Sequence, residues 1–198
     1  MRALITGAWL VLAGLGLSGC ETIQRNGDLP EPTYEEAGKN AFVQANYRAV
    51  GELMQRYGLP ASVNNRPESA AAPFIVATVA NIDQLEQSST LGRLISEQVS
   101  SRLSQMGQQV VELKLRNGIY MKRNEGEFLL TREIKEVATA HRAQAVVLGT
   151  YAESASYIHV SLKLVNPANS MILAAHDYAL PLDRQVRSML RKSQSGLR

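Results

Sequence analysis

The chain has 198 residues, of which 45% are hydrophobic and 20% charged, and a formal net charge of +3. That length suits one ordinary domain with short extensions, and the composition is that of a globular chain rather than a disordered polymer or a multi-span membrane protein. The charge is too small to require a nucleic-acid partner, and a single cysteine excludes an internal disulfide scaffold or a thiolate zinc cage.

Arg2 is the one charge ahead of an apolar run over residues 3–17, and the run ends in Leu17, Ser18, Gly19 and Cys20. As a helix it rises about 22 Å, short of the roughly 30 Å hydrocarbon core, so it reads as a cleaved export signal and not a transmembrane span. Leucine, two small residues and cysteine resemble the lipobox of bacterial lipoproteins. The resemblance implies cleavage after Gly19, a diacylglyceryl group on the Cys20 sulfur and an N-acyl chain such as palmitate, with no other cofactor. Several acyl chains anchor stably, because each buried methylene contributes about 0.8 kcal/mol. By the lipoprotein sorting rule, Glu21 in place of Asp implies the outer membrane. Removing residues 1–19 takes Arg2 with it and leaves a net charge of +2.

Residues 20–39 are polar, with Gly27, Pro30, Pro32 and Gly38, and read as a flexible or partly extended tether. Fully extended, the segment spans at most about 65 Å, so the domain stays near its membrane. Asn40 is placed to cap a helix whose apolar positions Phe42, Ala45, Ala49, Leu53 and Tyr57 share one face and which ends near Gly58. Residues 59–72 read as a long loop. Pro73 opens a continuous apolar strand over 74–80, matched by a second over 145–151; both have the character of strands buried on two faces and predict a parallel pair. Between them the pattern predicts a helix presenting Leu91, Ile95, Val99, Leu103 and Met106, capped from within Ser88, Ser89 and Thr90. A strand follows with Val111, Leu113 and Leu115 alternating with Glu112 and Lys114, and then a helix after Thr131 with Ile134, Val137, Ala138 and His141 on its face. Beyond Tyr151 the period becomes two: Ile158, Val160, Leu162 and Leu164 alternate with His159, Ser161 and Lys163. Residues 166–170 turn the chain, and 171–180 return as a hairpin partner that Pro181 ends. The expected architecture is a single α/β (α+β) domain over 40–181, with a mixed sheet, two or three covering helices and a C-terminal antiparallel hairpin. A basic tail over 182–198 follows, its first part a short helix.

Candidate chemistry is sparse. His141, His159 and His176 stand too far apart in sequence for a local metal pattern, and His159 points away from the apolar face of its strand. There is no nucleophile elbow, phosphate-binding glycine loop or dinucleotide fingerprint. A hydrolase built on Ser88 or Ser89 competes poorly with helix capping by the same residues. The carboxylates Glu125, Glu127, Glu133 and Glu136 suggest a glycosidase pair only until Glu133 and Glu136 are placed in the first turn of a helix, where the macrodipole favours them. The remaining candidate is the C-terminal cluster Arg184, Arg187, Arg191 and Lys192, with Arg198 beyond it and Asp183 as its one acid. It would suit an acidic partner, anionic headgroups or lipopolysaccharide phosphates, or simply be solvated.

Three segments, ATVANIDQLEQSSTLGR at 77–93, GEFLLTRE at 126–133 and VLGTY at 147–151, in that order behind the lipobox, resemble the FlgO family of flagellar outer-membrane lipoproteins. Two departures, Thr131 for a common Ser and Asn169-Ser170 for a usual Thr-Gly turn, keep the same jobs of capping and turning. The resemblance implies a fold similar to the N-terminal domain of TolB and a non-enzymatic part in assembling or stabilising the flagellum, needed for motility. It also implies a domain on the periplasmic side, with basal-body or sheath proteins as partners, and a homo-oligomer is compatible with that role. Lipoprotein activators of penicillin-binding proteins share the fold and are the rival reading; such an activator must reach through the cell wall, for which residues 21–39 are short. An envelope hydrolase is the third reading, and it needs a convergent polar pocket.

Overall fold

In the computed structural model residues 32–58, 72–85, 89–113 and 132–190 are described. Leu17, Ser18, Gly19, Cys20, Glu21, most of the 59–72 loop, Glu125, Glu127, Arg191 and Lys192 lie outside them. The chain divides into a unit ending at Ala37 and a unit from Gly38 onward.

Within the segment expected to be a flexible or partly extended tether, Tyr34–Gly38 is a short helix, α1. Thr33 and Glu36 form a capping box: the Thr33 N–H and hydroxyl donate to Glu36 Oε2 at 2.8 and 3.0 Å, and the Glu36 N–H donates back to Thr33 Oγ1 at 3.2 Å. Those donors, the backbone one foremost, hold the Glu36 carboxyl below its ordinary pKa.

The second unit opens with α2, Ala41–Arg56, whose cap is Asn40: its Oδ1 accepts from the Phe42 and Val43 N–H groups at 3.0 and 3.3 Å. The strands β1 Phe74–Val76, β2 Ala80–Asn81, β3 Val110–Glu112, β4 Ala145–Glu153, β5 Tyr157–Val165 and β6 Ile172–Pro181 form one mixed sheet. Its order is β3-β1-β4-β5-β6, with β2 also on β4. β1 and β2 run parallel to β4, as the two apolar runs predict, with Val76 beside Val147 and Ala80 beside Thr150. β4, β5 and β6 form an antiparallel meander. The helices α3 Thr90–Gln105, α4 Arg132–Ala140 and α5 Arg184–Leu190 complete the unit.

The two faces of the sheet are covered unequally. One face carries Phe74, Val147, Tyr151, Val160, Leu162 and Leu164, buried in a single cluster with Leu53 and Met54 of α2 and Leu91, Ile95, Val99 and Leu103 of α3. On the other, Ile75, Ala77, Val146, Leu148 and Val165 pack with Ile134 and Ala138 of α4. His141 does not extend the α4 face: the helix stops at Ala140, Arg142 turns the chain with φ of 50°, and His141 is exposed.

The apolar run over 74–80 is not one strand. At Val79 the backbone leaves the ladder for α3, its N–H donating to Ser96 Oγ at 2.7 Å while the Ser96 hydroxyl donates to the Gly92 carbonyl at 2.8 Å. The approach is so close that a Cβ on Gly92 would lie 2.0 Å from the Val79 carbonyl oxygen, and one on Gly149 would lie 2.6 Å from Val79 Cγ2. Glycine at both positions is thus a packing requirement, with α3 seated on β4 across the interrupted strand.

A second buried polar chain joins α2, α3 and β6. The Tyr178 hydroxyl donates to Asn46 Oδ1 at 2.5 Å, and Asn46 Nδ2 donates to Gln98 Oε1 at 2.6 Å. Burial raises the Tyr178 phenol above its ordinary pKa. The segment from residue 182, read as a tail, is docked through residue 190: Leu182 and Val186 are 7% and 2% exposed and belong to the main core.

Candidate functional site

The unequal cover of the sheet determines which side chains are available to a partner. On the face that α4 covers over β1 and β4, no described helix covers the β5–β6 hairpin. In register, Thr150, Ser161 and Asp177 form one row across β4, β5 and β6, and Ala152, His159 and Ala179 form the next. With Ile82 they line a shallow, open depression of about 550 Å³.

The depression holds polar groups that do not converge on a reacting atom. His159 Nε2 lies 3.5 Å from Ser154 Oγ, which resembles a serine–histidine pair, but the Ser154 hydroxyl donates to the Tyr157 carbonyl at 2.8 Å. The same oxygen accepts the Tyr157 N–H at 3.2 Å, so Ser154 closes the β4–β5 turn instead of presenting a nucleophile. Among the described residues no three His, Cys, Asp or Glu side chains are grouped to hold a metal. Ser89 is the α3 cap, as its position predicts: its hydroxyl oxygen accepts the Gly92 N–H at 3.0 Å and the Tyr151 hydroxyl donates to it at 2.7 Å.

The basic cluster is partly structural. Asp183 caps α5, its Oδ1 accepting the Val186 N–H at 2.8 Å, and Arg187 Nε donates to the Leu182 carbonyl at 3.1 Å, tying the helix start to the end of β6. Arg184 is exposed beside Gln185, and Gln185 Oε1 accepts from Asn40 Nδ2 at 3.2 Å. Of the four cationic candidates, then, Arg184 projects into solvent, Arg187 is partly engaged, and Arg191 and Lys192 lie outside the described residues.

Sequence reasoning missed the edge of the sheet. Among the described residues β6 is the outermost strand on one side, and Met171 just before it and Ile172 and Leu173 at its start are 61%, 52% and 38% exposed. At the opposite end of the hairpin, Tyr157 and Ile82 are 51% and 48% exposed. Three adjacent apolar residues directly after a turn were the available signal, although alternation alone does not say which strand is the edge.

Among solved structures the chain is similar to the LpoB C-terminal domain from Salmonella enterica, with 14% identity over 71% of this chain and 98% of that one and a TM-score of 0.46. It is similar at 13% identity to the LpoB C-terminal domain from Escherichia coli, over 71% and 98% of the two chains with a TM-score of 0.45. It is also similar at 13% to a PelC dodecamer from Paraburkholderia phytofirmans, over 60% and 78% with a TM-score of 0.41. No curated protein matches the sequence. The family model described as FlgO protein matches residues 47–185. That span runs from the middle of α2 through all six described strands into α5, well over half of the chain, and the chain belongs to the FlgO family.

Proposed function

We propose that this protein is an outer-membrane lipoprotein, anchored through acyl chains on Cys20, that acts as a non-enzymatic assembly or stabilising component of the flagellum and is needed for motility. The observation that carries this reading is the FlgO match over residues 47–185, behind a lipobox at residues 17–20. The lipid holds the domain at the membrane on the short segment of residues 21–39. The domain then works by surface, with the hairpin depression, the β6 edge and Arg184 as its available contacts and basal-body or sheath proteins as the partners. The commitment of Ser154 and Ser89 to a turn and a helix cap supports binding over turnover.

Isolation of basal bodies from a strain carrying a tagged chromosomal copy tests this reading. The tagged protein should co-purify with the hook–basal-body fraction and be depleted from it in a strain that makes no basal body. Equal recovery from both strains would show that the association is with membrane alone.

A further inference from the structure

The helices that share a core with one face of the sheet are one-sided in charge. α2, α3 and α5 together carry six arginines, no lysine and two glutamates, a net of +4, so the rest of the mature chain, whose total is +2, sums to −2. Arg48, Arg56, Arg93, Arg184 and Arg187 are exposed. Arg102 is half-buried where α3 meets α2, its guanidinium 5.8 Å from the centre of the Tyr47 ring, and its Nη1 donates to Gln105 Oε1 at 3.4 Å. Two acids dilute the layer: Glu52 is half-buried and stands four residues from both Arg48 and Arg56, and Glu97 stands four residues from Arg93. The layer stays basic because each acid offsets only one of the six cations.

What suits such a layer follows from what it lacks. Among the described residues of the second unit, the exposed large apolar side chains are Ile82, Tyr157, Met171, Ile172 and Leu173, and none belongs to α2, α3 or α5. A protein partner is held by an apolar core from which charged residues are depleted, and this layer offers no such core. A hydrated surface of phosphates needs none, because a guanidinium matches phosphate oxygens with two parallel N–H donors. The chain also enters the second unit at this layer: Asn40 caps α2, and its Nδ2 donates to Gln185 Oε1 of α5 at 3.2 Å. We infer that the α2–α3–α5 layer lies against anionic phospholipid headgroups of the leaflet that holds the Cys20 acyl chains. The inference rests on the lipoprotein reading above; it assigns Arg184 to the membrane and turns the hairpin depression, on the opposite face of the sheet, toward protein partners. Each basic residue near an anionic surface strengthens partitioning about fivefold, and the attraction fades beyond a Debye length of about 10 Å, so the exposed arginines act together only when this layer is the one that faces the lipid.

Two measurements on the full chain test the inference. In the first, the unlipidated Cys20→Ser chain is sedimented with phosphatidylcholine vesicles with and without phosphatidylglycerol. It should bind only the anionic vesicles and be released as salt rises from about 50 to about 300 mM. Adding Arg48→Gln, Arg56→Gln and Arg184→Gln together should weaken that binding by about 100-fold, and adding Lys135→Gln, on α4 of the opposite face, by no more than about twofold. In the second, the lipidated chain is reconstituted into the same vesicles with a fluorophore on one added cysteine, Ser101→Cys of α3 or Ala175→Cys of β6, and a quencher on the lipid headgroup. Both positions are exposed, and Cys20 is blocked by its thioether. Quenching should be severalfold stronger at 101 than at 175 in anionic vesicles and lose that preference in neutral ones. If the triple variant does not fold, salt release and the quenching pattern decide. No preference for anionic vesicles, equal loss in the Lys135→Gln chain, or equal quenching at 101 and 175 would overturn the inference. A lipidated chain that stays on vesicles without any preferred face would do so while leaving the Cys20 anchor intact. A triple variant depleted from whole envelopes, with no preference of the unsubstituted arginines for anionic vesicles, would also refute it and point to an acidic protein instead.

Discussion

Replacing Gly92 with alanine sets helix propensity against tertiary packing, and the structure decides the sign. Gly92 lies in the first turn of α3, where propensity alone predicts a gain of about 1 kcal/mol. The new Cβ, however, would sit 2.0 Å from the Val79 carbonyl oxygen, a backbone atom with no rotamer to yield. Restoring an ordinary contact requires α3 and residues 77–79 to separate by about 1 Å or more. Overpacking of that kind costs about 1–3 kcal/mol. The same displacement stretches the 2.7 Å bond from the Val79 N–H to Ser96 Oγ, and a buried donor left without its acceptor costs about 1–3 kcal/mol. The net effect is a destabilisation of about 2–4 kcal/mol, which at roughly 2–4 °C per kcal/mol for a domain of this size lowers Tm by about 5–15 °C. Gly51→Ala is the internal control, because nothing lies within 4 Å of its Cβ position, and it should gain about 0.5–1 kcal/mol. Thermal and urea unfolding followed by circular dichroism measures both. A Gly92→Ala protein as stable as the unsubstituted one, or more so, would refute the close approach of α3 to the interrupted strand.

Val147→Asp places a carboxylate at a side chain 2% exposed in the central strand and should cost several kcal/mol of a total near 5–15, leaving insoluble or unfolded protein; a soluble product with native circular dichroism would remove β4 from the centre of the fold. Tyr178 should make the domain sensitive to alkali: its folded pKa is raised above the ordinary 10.0, so its contribution is full below that pH and is lost progressively as pH rises. Urea midpoints at pH 8 and pH 11 should therefore fall less in Tyr178→Phe than in the unsubstituted chain, and equal falls would contradict the burial argument. Cys20→Ser should leave the domain folded but unlipidated and free of the outer membrane after a high-salt wash, and retention in that fraction would place the anchor elsewhere.

Most of the sheet was legible because its strands differ in how many faces they bury. The uniformly apolar run at 145–151 announced a central strand, and the alternation at 158–164 announced a half-covered one. The interruption at residues 77–79 was invisible because every residue from 74 to 80 but Thr78 is apolar; what breaks the strand is a hydroxyl on a distant helix, Ser96, and the space that Gly92 leaves. The α1 capping box was present in the sequence as Thr33 and Glu36 at the required spacing, but the prolines before it drew the segment toward a linker reading. Asn46 sits within the apolar stripe of α2, a local conflict whose resolution, Tyr178 and Gln98, required the tertiary structure. Of the candidate contacts, basic residues were identifiable by charge alone. The division of labour between Arg184 and Arg187 depends on where the β6 carbonyls end, which charge patterning does not encode.

The flagellar role is tested most directly by a clean deletion complemented with the unsubstituted gene, scored for swimming and flagellar staining beside incorporation of label into peptidoglycan. The account predicts loss of swimming with absent, unstable or misplaced flagella, near-normal wall synthesis, and restoration by the unsubstituted copy. Normal swimming together with defective wall synthesis would contradict it and favour a role as activator of peptidoglycan synthesis.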